Sequence, residues 1–258
     1  MNSKLANFQK YKPLLSELVT RDVKIKYRRS VLGVLWTLLN PLLMMIVLSI
    51  VFSNLFKFNV DNYPLYLLSG QVVFNFFSES TTAGMNAILM NAPLIKKVYV
   101  PKYMFVMSKT ASIAVNLLAA TASLVIVMLF TRAELHLTML LSFIPIVMLV
   151  IFCFGLGLIL ATFAVKFRDI VHLYTIFTTV VMYLTPVIYP MDILPKWVSV
   201  IVKINPLTSI ITMFRDFTIY GSIPGVFTWV MTIIPALVVL ALGCLVFYKH
   251  QDEFILYV

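Results

Sequence analysis

The chain has 258 residues, of which 61% are hydrophobic and 12% charged, and its formal net charge is +10. Soluble domains carry roughly half apolar and a quarter charged residues, so no water-soluble core of this length could hide the apolar surface. The solvent implied is a bilayer, and the positive charge reads as orientation and attraction to anionic lipid, with no nucleic-acid partner expected.

The first thirty or so residues are polar and basic, which is unlike a cleavable signal peptide, and the first membrane span is expected to serve as its own insertion signal. Within this stretch Tyr11, Leu14, Leu15, Leu18 and Val19 recur at helical spacing, with Lys10, Lys12, Ser16, Glu17, Thr20 and Arg21 on the other face. That pattern predicts an amphipathic helix lying along the cytoplasmic interface, either as an anchor or as a docking surface for a partner protein.

Apolar runs of spanning length follow at 31–55, 64–90, 104–131, 138–165, 170–189 and 225–248. They predict an all-α integral membrane protein with six transmembrane helices in a single domain, 1–258. Fourteen Lys and Arg residues fall in the N-terminal tail, the second-to-third and fourth-to-fifth connections and the C-terminal tail, against five on the opposite side. Both termini are therefore expected in the cytoplasm.

Between the fifth and sixth runs, 187–224 contains Pro190, Pro195, Pro206, Gly221 and Pro224, with apolar segments too short to cross. Backbone at membrane depth must be satisfied by protein or water, so two short re-entrant outer helices are expected, forming a candidate exit gate. Glu79 is the one carboxylate deep in an apolar run, which implies either a cavity or a polar bond between helices. Gly155, Gly157 and Ala161 give one span small residues that allow close helix approach. Cys153 and Cys244 have neither metal-ligand nor disulfide-framework spacing. The sequence contains no G-x-x-x-x-G-K-[ST] loop, nucleophile elbow or H-E-x-x-H pair, and His136, His172 and His250 are isolated. A catalytic site, a metal site and a bound cofactor are not expected.

The run from Tyr27 to Trp36, closing with Asn40-Pro41, resembles the entry to the first span in the ABC-2 family of polysaccharide export permeases. The likeness continues in Arg168-Asp169, in Thr185-Pro186-Val187-Ile188-Tyr189-Pro190, in Leu194-Pro195, in Asn205-Pro206-Leu207 and in Arg215, in the family's order. It implies a homodimer in the bacterial cytoplasmic membrane, working with two copies of a separate ABC ATPase subunit that carries ATP and Mg. The implied cargo is an O-antigen or teichoic acid type polysaccharide on an undecaprenyl-type lipid diphosphate. The stretch 86–103, with Pro93 and Pro101 bounding Leu94, Ile95, Lys96, Lys97, Val98 and Tyr99, is similar to the family's coupling helix, the point where the ATPase would grip.

That cargo sets two chemical demands. Sugars present apolar C–H faces as well as hydroxyls, so aromatic side chains suit a sliding contact, and Trp36, Phe74, Phe77, Tyr183 and Tyr189 are the candidates. A diphosphate headgroup needs cations at the cytoplasmic boundary, where Lys26, Arg28 and Arg29 lie; the same three also suit any anionic lipid. An ABC-2 permease for a drug, peptide or small lipid remains a second reading, since fold does not fix substrate. A membrane enzyme or proton-coupled carrier is a third, opposed by the lack of clustered acids and histidines within the spans.

Overall fold

The computed structural model describes residues 2–27, 32–33, 35–56 and 60–257. It consists of helices α1 (Asn2–Tyr27), α2 (Leu35–Phe56), α3 (Tyr63–Met90), α4 (Ala92–Ile95), α5 (Tyr103–Phe130), α6 (Phe143–Lys166), α7 (Asp169–Leu184), α8 (Lys196–Ile204), α9 (Pro206–Thr218), α10 (Val226–His250) and α11 (Phe254–Tyr257), joined by short 3₁₀ turns and extended segments. Strands are absent among the described residues.

Four stretches are long and apolar enough to cross a bilayer: Leu35–Phe52, Tyr103–Phe130, Leu137–Lys166 and Val226–Tyr257. The pair α8 and α9 would make a fifth if counted as one bent element. Two of the six expected spans thus stand apart. Helix α7 is apolar but has only 16 residues, about 24 Å, because the chain turns extended at Thr185 before Pro186. Helix α3 has 28 residues but, after α1, is the least apolar of the long helices, and 19 of its residues are buried. The two facts are connected, because a helix surrounded by protein can carry Ser69, Gln71, Ser80 and Thr81 where a lipid-facing one could not. Two of these are satisfied locally: the Ser69 hydroxyl donates to the Tyr66 carbonyl and the Thr81 hydroxyl to the Phe77 carbonyl, each at 2.7 Å.

Helix α3 is the axis of the bundle, packed against α5 on one side and α6 on the other, and α6 in turn has its most extensive pairing with α10. Glycine makes that approach possible. A Cβ on Gly155 would come within 2.6 Å of the Leu240 backbone, and one on Gly243 would meet the Gly155 carbonyl. On the other face of α6, a Cβ on Gly84 would lie 3.1 Å from the Cα of Gly157. The small residues expected on this span therefore do bring helices close.

On α1 the apolar and polar positions separate. Leu18 is buried, with Tyr11, Leu14 and Leu15 packed beside it against Ile88, Val100, Met104 and Phe105, while Lys12, Ser16, Glu17, Thr20 and Arg21 are exposed. The 187–224 stretch contains the two short helices expected, bent by 87° at Asn205. The Asn-Pro pair sets this corner: the Asn205 side chain accepts a hydrogen bond from Leu207 N at 3.1 Å, and Pro206 starts α9 where no amide hydrogen is needed. Gly221 closes the segment with φ of 63° against the His136 ring, a backbone state that L side chains rarely adopt.

Candidate functional site: a polar groove beside the N-terminal helix

On α1, Asp22 and Lys26 are four residues apart and so share a face. That face meets two charges of opposite sign on the bundle. Lys26 Nζ lies 2.6 Å from Glu79 Oε1 on α3, and Lys109 Nζ on α5 lies 2.9 Å from Asp22 Oδ2. Arg21 joins from the same helix, 3.0 Å from Asp22 Oδ1 and 3.4 Å from Asn91 Oδ1 at the end of α3. The Lys26–Glu79 pair is about half exposed on both sides, whereas Lys109 and Asp22 are mostly covered.

These pairs border two adjoining cavities. The smaller, about 150 Å³, runs past Asp22, Lys26, Glu79, Lys109 and Asn116. The larger, about 330 Å³, begins at Lys26 and Glu79 and continues between α2, α3 and α5, lined by Trp36, Asn40, Asn75, Asn116 and the apolar Pro41, Val72, Phe76 and Leu117. The result is one polar groove leading from the last turns of the amphipathic helix toward the middle of α3 and α5. Glu79 faces this cavity and is bonded to Lys26 of α1.

Of the three expected cations, Lys26 is in the groove, and Arg28 and Arg29 lie outside the described residues. The aromatic candidates divide. Trp36 lines the groove at 45% exposure, and Tyr183 is exposed on α7. Tyr189 donates its hydroxyl to the Tyr183 carbonyl at 2.7 Å. Phe74 and Phe77 are not available to a passing ligand. Their rings are buried 5.9 Å apart, and Phe77 stacks on Phe152 at 6.3 Å, so both are spent on the core.

The 86–103 stretch also divides. Ile95 is buried in the core with Val100, while Val98 and Tyr99 are exposed, as are Lys96 and Lys97; Leu94 is partly buried. The segment is braced from behind by the C-terminal tail. Lys102 donates to the Gln251 carbonyl and stands 5.7 Å over the Phe254 ring, and burial there pushes the Lys102 ammonium below its usual pKa. Phe254 is fully buried, edge-on to Phe247 at 5.2 Å. Nearby, Lys166 Nζ sits 2.6 Å from Glu253 Oε2 and holds that carboxyl below the usual range.

A second polar node lies at the other end of α3. Arg215 on α9 is buried, and among the described residues every acceptor around it is neutral: Ser69 Oγ at 3.1 Å, the Pro186 carbonyl at 2.8 Å, the Tyr66 carbonyl at 2.9 Å and the Val187 carbonyl at 3.2 Å. Its guanidinium also stacks 3.5 Å from the centre of the Tyr66 ring. Tyr63 and Tyr66 hold the same extended loop, donating to the carbonyls of Ile188 at 2.8 Å and Tyr189 at 3.0 Å. Thr185–Pro190 is thereby fixed to the start of α3.

Sequence reasoning passed over the partners of these groups, although a signal existed. Lys109 sits within a span and Glu79 within another, so each needed an opposite charge, and Asp22 with Lys26 offers both at one helical repeat. The three asparagines gave no such signal, because nothing in the order of the chain says that α2, α3 and α5 point them at one space.

Residues 13–219 match the model of the ABC-2 type transporter family. Among curated relatives, the O-antigen export system permease protein RfbA of Myxococcus xanthus is 30% identical over 248 residues, covering 95% of each chain. The protein of the same name from Klebsiella pneumoniae is 28% identical over 212 residues, 81% of this chain and 82% of the relative. A match across four-fifths of the residues, in a helical bundle with several apolar spans, settles the family: this chain belongs to the ABC-2 type transporters.

Proposed function

We propose that this chain is the membrane permease subunit of an ABC exporter that moves a lipid-linked polysaccharide, of O-antigen or teichoic acid type, across the bacterial cytoplasmic membrane. The observation that carries this reading is end-to-end similarity to a protein named for O-antigen export, at 95% coverage of both chains. A separate ATPase subunit, in two copies carrying ATP and Mg, drives a homodimer of this chain. The six apolar runs act as six spans, with α3 shielded by its neighbours and α7 completing its crossing through the extended Thr185–Pro190 segment. Both termini face the cytoplasm, and α8 with α9 re-enters from the outside as part of an exit gate.

In this mechanism the residues act in three places. The undecaprenyl-type diphosphate is met at the end of α1 by Lys26, Arg28 and Arg29, of which Lys26 already holds a carboxylate, Glu79, at 2.6 Å. An incoming diphosphate competes with Glu79 for that ammonium, so loading and release of the α1–α3 contact are linked. Trp36, Tyr183 and Tyr189 supply the aromatic contact for the sugars. Exposed Val98 and Tyr99, flanked by Lys96 and Lys97, present the ATPase with an apolar knob in a basic collar, while buried Ile95 anchors that knob to the bundle.

Reconstitution with the partner ATPase tests the whole reading. Lipid-linked glycans should stimulate ATP hydrolysis and cross the bilayer in an ATP-dependent way. Stimulation by small amphiphiles alone would assign the chain to a drug or small-lipid exporter instead.

A further inference from the structure

The larger cavity has polar chemistry that the ion pair does not consume. Asn40 on α2 and Asn75 on α3 are both exposed to it, and among the described residues neither side chain has a hydrogen-bond partner. Asn75 stands near the middle of a 28-residue helix, so it lies at membrane depth. An amide facing hydrocarbon without a partner is costly, which means that water or a polar ligand occupies this space.

The donor set narrows what that ligand is. Each amide offers an N–H donor and a carbonyl acceptor side by side, which matches a hydroxyl that must both accept and donate. A phosphate accepts only and would leave the amide oxygens without a donor, so its place is at Lys26 and not between the amides. Trp36 at the rim and Pro41, Val72 and Phe76 along the wall provide an apolar face beside the amides, the combination that a pyranose with its C–H face and hydroxyl edge requires. The volume of about 330 Å³ is within the range of small-molecule sites.

We propose that the cavity between α2, α3 and α5 is a glycan-binding subsite, in which Asn40 and Asn75 hydrogen-bond to the hydroxyls of the sugar nearest the lipid carrier and Trp36 lies along its C–H face. This rests on the export reading and adds to it the place where sugar is first held. Lys26, shared by both cavities, puts the carrier's phosphate next to that sugar.

The test uses the permease with its ATPase in proteoliposomes and two titrants: a lipid diphosphate bearing a short oligosaccharide, and the same lipid diphosphate without sugar. Asn40→Leu with Asn75→Leu should raise the half-maximal concentration of the glycosylated lipid about tenfold, as expected for two lost hydrogen bonds. The response to the bare lipid should stay at the wild-type concentration. Asn75→Gln, which keeps the amide, should fall between. A direct readout is the emission of Trp36 on a Trp197→Phe, Trp229→Phe background, which the glycosylated lipid should shift and the bare lipid should not. This measurement needs no change to the amides and decides the matter even if the double Leu variant fails to assemble. Equal shifts for both titrants, or none for either in an assembled variant, would overturn the subsite and leave the export reading standing. A wild-type complex stimulated by neither titrant would defeat the export reading, and the subsite with it.

Discussion

Arg215 and Glu79 are both charged side chains carried into apolar parts of the chain, and they are held in opposite ways. Arg215 is buried, meets an aromatic ring and four neutral oxygens, and binds the Thr185–Pro190 loop to α3. Glu79 has an opposite charge at 2.6 Å and is nevertheless half exposed at the edge of a cavity. Formal charge pairing is thus strongest on paper where the structure is most open. The difference teaches that the Arg215 node holds its place unless several bonds break together, whereas the Lys26–Glu79 pair can exchange its partner at little cost. A guanidinium making four hydrogen bonds cannot move without orphaning carbonyls, but an ammonium at a half-exposed edge can pass from a carboxylate to a phosphate.

The largest expected effect is therefore at the Arg215 node. Arg215→Met should lower stability by about 3–5 kcal/mol, because several buried carbonyls lose their donor at once. Thermal unfolding in detergent measures it, and Arg215→Lys should recover little, since an ammonium lacks the planar stack on Tyr66. A loss under about 1 kcal/mol would erase the contrast between the two regions.

Next in size is Gly70→Ala. The new Cβ would stand 2.6 Å from Arg215 Nη2 and 3.1 Å from the Val187 backbone, pushing the guanidinium out of its place by packing alone. The expected cost is about 1–3 kcal/mol, and it should not add to that of Arg215→Met. Full additivity in the double variant would show that Gly70 has some other role.

The Lys26–Glu79 pair should respond weakly in stability and strongly in function. Lys26→Gln or Glu79→Gln should cost below about 1 kcal/mol, after allowance for solvent screening of a half-exposed pair. On the proposed loading mechanism, Glu79→Gln frees Lys26 and lowers the concentration of lipid diphosphate needed to stimulate hydrolysis, whereas Lys26→Gln raises it. Both variants moving in the same direction would contradict a competition for Lys26.

The smallest effect belongs to the partly exposed Lys166–Glu253 pair, a reference for what a single peripheral contact contributes. The Glu253 carboxyl is held below its ordinary value of 4.5, so its contribution is present above that pH and is lost as the pH falls through the lowered value. Glu253→Gln should therefore lie slightly below the wild type in melting temperature at neutral pH and converge with it in acid. Divergence on acidification would mean the pair is not the source.

Much of the scaffold was legible in the sequence, and the reason is specific. The runs 64–90, 104–131 and 138–165 correspond within about a residue to α3, α5 and the 137–166 helical segment, because length and apolarity are local properties. The run 170–189 stopped short at Leu184, where a β-branched residue before proline leaves the helix. The site was legible only in part. Glu79 and Lys26 could each be singled out, but their contact spans 53 positions in the chain, and Arg215 reaches acceptors 146 and 149 positions away. Phe74 and Phe77 illustrate the converse limit: composition alone cannot separate an aromatic ring that packs inward from one that faces a ligand.

The surroundings of Arg215 also bear on the order in which the chain is made. Helix α9 carries a cation on a short apolar segment, and every acceptor for it lies on α3 or on the loop before Pro190. Lipid offers no equivalent, so 206–218 cannot settle into a bilayer as it leaves the ribosome and must wait beside water until α3 is folded. Helix α10, synthesised afterwards, packs against both α9 and α6. Since α10 supplies none of those acceptors, it closes over a segment already seated, and protection of 206–218 from protease in pulse-labelled membranes should arise before α10 has been completed.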